Sequence, residues 1–145
     1  LLMALNKAYD QYKQNSIYTA TPEELTLMLY NGLVKFLMQA QCGIAEKNIE
    51  KTSNSIMKAQ NILLHFRSTL DMRYEVSGNL DSLYEYMHRR LIEANIKKDQ
   101  EIISEILGMA KELRDTWSQA MKMAKHPQKA MQRPGQTEEA RTGIK

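Results

Sequence analysis

The sequence predicts an all-α fold: an antiparallel four-helix bundle, preceded by a mobile N-terminal segment and followed by a disordered C-terminal tail. Three observations carry that expectation. Four windows of about 20 residues each place apolar side chains at helical spacing. The connections between them are short and polar, which favours antiparallel neighbours. Six Gly and three Pro in 145 residues are few for an all-β chain, and this length suits a single domain.

Residues 1–20 read as an arm. Tyr9, Tyr12, Ile17 and Tyr18 alternate with polar residues without strong helical rhythm. A tyrosine has an apolar body and a polar tip, so this strip suits packing on a surface that it can leave. The bundle proper is expected over 21–124. Thr21-Pro22-Glu23-Glu24 opens its first helix, about 22–44: Thr21 accepts from the orphan amides, Glu24 reaches back, and Pro22 sits where its missing N–H costs nothing. Lys47-Asn48 turns into a second helix, about 49–70, and the polar stretch Asp71–Gly78 into a third, about 79–97. Asp99 is the N-cap of the fourth, about 100–124. From His126 onward Pro127, Pro134, Gly135 and many charges make 125–145 a tail expected to be disordered.

Two stripes define the core. Ile103, Ile106, Ala110, Leu113, Trp117 and Ala120 follow a seven-residue rhythm on the fourth helix. On the third, Leu80, Leu83, Tyr84, Met87, Leu91 and Ala94 fall within about 120° of arc, while Tyr86 and Ile96 project away from it. Gly32 lies on the inner side of the first helix and is expected to permit close helix approach. Asn95 is expected to tie the turn between the third and fourth helices.

The chemistry is sparse. Twenty basic and 17 acidic residues are interspersed, with a net charge of +3, which argues against a nucleic-acid face. A single cysteine fits a reducing compartment. No apolar run reaches membrane-spanning length and no leader pattern opens the chain, so a soluble, cytoplasmic protein with no integral membrane segment is expected. Glu85-x-x-His88 has the spacing of a di-iron helix, but both residues turn off the stripe and the four helices hold no second such pair. His65 and His126 lack ligand partners at zinc spacing. There is no glycine-rich phosphate loop and no nucleophile elbow. Cys42 reads as an inert buried or boundary thiol. No enzyme, no metal and no cofactor is expected.

What stands out is surplus apolar surface. Leu25, Leu27, Met28, Leu29, Tyr30, Leu33, Val34, Phe36, Leu37 and Met38 cover well over half the circumference of the first helix. A helix packed in a bundle needs an arc of little more than about 100°. The second helix is also generous, with Ile49, Ile56, Met57, Ala59, Leu63, Leu64, Phe66 and Leu70, and Ile62 further round. An amphipathic partner lying in a groove would cover the excess, and ten methionines suit an adaptable surface. The competing reading is a homodimeric helical scaffold in which the surplus is only self-contact.

Four blocks of sequence then carry a resemblance: TATPEELTLMLYNGLVKFL from Thr19, KAQNIL at Lys58–Leu63, LYEYMHRRLIEANIKKD at Leu83–Asp99 and LRDTW at Leu113–Trp117. In this order they resemble the flagellin export chaperones, the FliS family, over about Ala8 to Trp117. The resemblance implies a four-helix bundle that binds the disordered C-terminal region of flagellin, prevents its premature polymerisation and assists delivery to the flagellar type III export gate. It implies that the N-terminal strip caps the empty cargo site and helps contact the gate protein, which points to Tyr9 and Tyr12. With the surplus arcs, the expected flagellin-binding residues are Ile62, Leu63, Phe66, Tyr86, Met87, Leu91, Ala94 and Trp117. Asn6 departs from the apolar residue some relatives carry at that place.

Overall fold

The computed structural model describes residues 2–125, with only the backbone described for Leu2, Met3, Leu5, Asn6, Tyr9 and Tyr12. The tail expected from 126 onward lies outside the described residues. The described chain is all helical: α1 (Leu2–Thr19), α2 (Pro22–Ala45), α3 (Ile49–Thr69), α4 (Glu75–Lys97) and α5 (Gln100–Lys125). Five helices therefore replace the expected four, because the N-terminal arm is itself helical. Its described side chains are exposed apart from the partly buried Ser16, so no stripe in its sequence marks it.

The local signals explain most boundaries. At α2 the capping box forms as the sequence dictates: the Glu24 amide donates to Thr21 Oγ1 at 3.2 Å and the Thr21 amide to Glu24 Oε2 at 3.4 Å. Asn48 caps α3 by accepting from the Lys51 amide at 3.0 Å. Asp99 does the same for α5, accepting from the Glu101 amide at 2.9 Å. The start of α4 differs: it begins at Glu75, one turn before the expected residue 79, with Tyr74 as an N-cap that makes no side-chain bond. Asp71 organises the turn instead. Its carboxylate accepts from the Arg73 amide at 3.1 Å, and its carbonyl accepts from the Ser77 hydroxyl at 2.6 Å.

α2 packs against α3 and α5, and α4 packs against α3 and α5. Between them lies one core cluster that includes Leu33, Leu37, Ile56, Leu63, Met87, Leu91, Ile103 and Ile106, all without exposure. Burying one such side chain contributes about 1.5–3 kcal/mol. The closest helix approach falls at Gly43 rather than Gly32. A Cβ at Gly43 would overlap Thr52 Oγ1 and lie 2.9 Å from the Thr52 amide nitrogen, whereas one at Gly32 would come no nearer than 3.4 Å to Ile62 Cδ1 and 4.0 Å to Phe36 Cε2. The turn between α2 and α3 brings Thr52 there, with its hydroxyl donating to the Asn48 carbonyl at 2.8 Å.

Asn95 ties the neighbouring turn, between α4 and α5. Its side-chain oxygen accepts from Ser53 Oγ on α3 at 3.1 Å, and Lys98, which ends α4 in the left-handed region at φ 52°, donates to that same oxygen, to the Asn95 carbonyl and to Ser53. Bonds to a charged donor are each worth about 1.5–3 kcal/mol. Asn95→Ala is expected to lower the unfolding free energy by about 2 kcal/mol in urea titrations. A variant as stable as the parent would mean that the network is only a surface ornament.

Candidate functional site: an apolar cleft at one end of the core

The helices do not end together. Trp117 Nε1 donates to the Glu23 carbonyl at 3.0 Å, which sets the beginning of α2 beside the later part of α5. α5 runs on to Lys125, eight residues that extend about 12 Å further. Meanwhile α3 has ended at Thr69 and α4 starts only at Glu75. The stripe on α5 consequently changes character along its length: Ile103, Ile106 and Ala110 are buried, Leu113 and Trp117 are half-buried, and Ala120 is exposed.

Between the end of α3, the first turns of α4, the start of α2 and the Met109–Trp117 stretch of α5 a cleft of about 550 Å³ opens. Its floor is aromatic. The Tyr30 and Phe66 rings stand 4.6 Å apart between centroids, Phe66 and Tyr84 5.3 Å, and the two tyrosine hydroxyls share a 2.6 Å hydrogen bond. Burial pushes both phenols above their ordinary range, so the pair stays neutral. Leu70, Val76, Leu80 and Leu83 form one wall, and Met109, Leu113 and Trp117 the other. Such a space, apolar with a few polar groups at its rim, accommodates side chains from an amphipathic segment.

The expected site residues separate into two groups. Leu63, Met87, Leu91 and Ala94 have no exposure at all. They lie inside the core and support a docking surface from beneath; a guest cannot touch them without the bundle opening. Phe66 and Trp117 line the cleft directly. Ile62 and Tyr86 are half-buried elsewhere: Ile62 beside Gly32, and Tyr86 with its hydroxyl donating to Glu105 at 2.6 Å. The side chains of Tyr9 and Tyr12 lie outside the described residues, although both positions fall in α1.

Sequence reasoning missed Leu70, Val76, Leu80 and Leu83 as one wall, because it treated 71–78 as a plain loop. The spacing of Val76, Leu80 and Leu83 is the signal that would have extended the helix backward. Away from the cleft, Met57 and Leu64 on α3 and Ile92 and Ile96 on α4 are exposed.

The remaining polar groups form structural pairs. Arg67 donates to Asp81 at 2.8 Å and holds that carboxyl below its usual range. Glu85 pairs with Arg89 at 3.2 Å, while burial, with Arg67 nearby, pushes His88 below the ordinary imidazole value. Among the described residues no group of three His, Cys, Asp or Glu is placed to hold a metal. Cys42 is exposed, not buried or at a boundary. No helix among the described residues is long and apolar enough to cross a membrane.

Comparison with known proteins agrees with this picture. The chain matches the family described as "Flagellar protein FliS" over residues 5–124. It is 44% identical over 119 residues to the flagellar secretion chaperone FliS of Bacillus subtilis, covering 82% of this chain and 90% of that protein. It is 36% identical over 117 residues to the flagellar secretion chaperone FliSB of Pseudomonas aeruginosa, covering 77% and 93%. Against FliS of Salmonella typhimurium it is 31% identical over 117 residues, covering 78% and 87%. An all-helical chain that leaves an apolar cleft at one end of its core, and that matches over most of its length, belongs to the FliS family of flagellar proteins.

Proposed function

We propose that this protein is a cytoplasmic export chaperone, without catalytic activity, that binds the disordered C-terminal region of flagellin, keeps flagellin from polymerising prematurely and assists its delivery to the flagellar type III export gate. In this reading α2–α5 are an antiparallel four-helix bundle spanning 21–124, and 1–20 and 125–145 are appendages. The observation that carries it is the cleft over Tyr30, Phe66 and Tyr84, together with large apolar side chains left exposed elsewhere: Leu25, Met28 and Met38 on α2, Met57 and Leu64 on α3. A segment that folds on binding offsets its ordering entropy by burying an apolar stripe, and these surfaces offer area for it.

Within that proposal Phe66 and Trp117 touch cargo in the cleft, Ile62 and Tyr86 touch it on the flanks, and Leu63, Met87, Leu91 and Ala94 set the shape beneath. Tyr9 and Tyr12 on α1 cap the site or contact the gate protein. Mixing the protein with purified flagellin is expected to give a stoichiometric complex on gel filtration, and removing flagellin's C-terminal segment to abolish it. Absence of a complex, or indifference to that deletion, sinks the reading. The exposed Ile92 and Ile96 on α4 favour a second reading, a homodimeric helical scaffold without cargo; sedimentation showing a dimer and no flagellin complex would select it.

A further inference from the structure

Resting on that chaperone reading, we propose that the cleft selects a guest helix with a basic side chain flanking its apolar stripe, and that Glu112 makes the selection. Among the described residues lining the cleft, Asp71 and Glu112 are the charged ones, and no Lys, Arg or His lines it. The two carboxylates are not equivalent. Asp71 is already neutralised: Arg73 grips it through Nη2 at 2.6 Å and Nε at 2.9 Å and holds its carboxyl below the usual range. Glu112 makes no hydrogen bond or ion pair with any described residue.

Glu112 precedes Leu113 on α5 and stands one turn before Thr116 and Trp117, on the wall a guest must press against. The other polar lining groups, Thr26, Thr69, Thr116 and the tyrosines Tyr30 and Tyr84, are neutral. A helix that buries its apolar stripe over the aromatic floor brings its flank to this carboxylate while displacing water from it. An acidic flank then meets a like charge at a rim that salt can still reach, and a basic flank gains an ion pair. The rim thus rejects as well as attracts, and rejection of the wrong partner is half of specificity.

The chain's one tryptophan, Trp117, lines the cleft and reports its occupancy. The test uses two synthetic, Trp-free helical peptides with the same leucine stripe, one with Lys and one with Glu beside it, titrated against the full chain by Trp117 emission at low ionic strength. The Lys peptide is expected to bind about five- to tenfold more tightly, the preference to vanish in roughly 0.5 M salt, and Glu112→Lys to reverse it. Glu112 is exposed, so the reversal is read on a folded protein, and Glu112→Gln is expected to level the two peptides. Equal binding to the unaltered protein, a preference that survives Glu112→Lys, or no response of Trp117 to either peptide overturns the proposal. Emission that reddens on simple dilution overturns it too, by giving the cleft to a second copy of the chain. Failure of flagellin itself to form a complex, with the Lys preference intact, would instead sink the cargo reading and leave the rim's selectivity standing.

Discussion

Leu63→Ala is expected to lower the unfolding free energy by about 3 kcal/mol. Leu63 has no exposure and belongs to the central cluster shared by α2, α3, α4 and α5. Truncating it removes the transfer free energy of the lost atoms and leaves a void that its neighbours refill only in part. In urea titrations followed by circular dichroism the midpoint is expected to fall without a change of slope. Trp117→Ala provides the contrast. That side chain is half-buried at the lip of the cleft, so its loss is expected to cost less stability and, on the proposed function, to weaken flagellin binding at temperatures where the variant is fully folded. A Leu63→Ala protein of parental stability that had lost only its guest would reverse the division between support and contact made above.

Gly43→Ala is expected to cost about 2–3 kcal/mol, a large effect for a single methyl group. The obstacle is backbone as well as side chain: the added carbon would lie 2.9 Å from the Thr52 amide nitrogen and 3.1 Å from its Cα. Neither atom can swing aside without moving α3 relative to α2, and Thr52 is pinned by its bond to the Asn48 carbonyl. Gly108 supplies the control. Nothing lies within 4 Å of the position its Cβ would take, so Gly108→Ala is expected to stabilise α5 by about 0.5–1 kcal/mol. Thermal denaturation of the two variants side by side reads both signs. Equal effects would mean that the close approach at Gly43 relaxes freely.

Much of the helical layout was legible because its determinants are local. The Thr21–Glu24 box and the Asn48 and Asp99 caps are side-chain chemistry within three residues of the backbone groups they satisfy. The start of α4 was harder to read for the same reason: no side chain caps it, a polar residue, Ser77, occupies a buried position facing the Asp71 carbonyl, and only the spacing of Val76, Leu80 and Leu83 marks it. α1 was illegible because periodicity records burial, and its described residues are mostly exposed.

The site was legible in direction and not in depth. A helical wheel placed Met87, Leu91 and Trp117 on inward faces, but it carries no information about how far neighbouring helices extend along the axis. Ile103 and Trp117 share one seam; the first is sealed and the second borders the cleft, where α3 is ending and α4 has only begun. The cleft is a product of helix length and stagger, which only the assembled chain reveals.

The two tyrosine hydroxyls in the floor carry a simple inequality. Each oxygen brings one proton, yet the short bond between Tyr30 and Tyr84 uses only one of the two. The leftover proton wants a lone pair, and both residues border the hollow in which a visitor would lie. A purely oily occupant would leave that demand unmet, whereas a chain that turns a carbonyl or hydroxyl downward at this point would satisfy it.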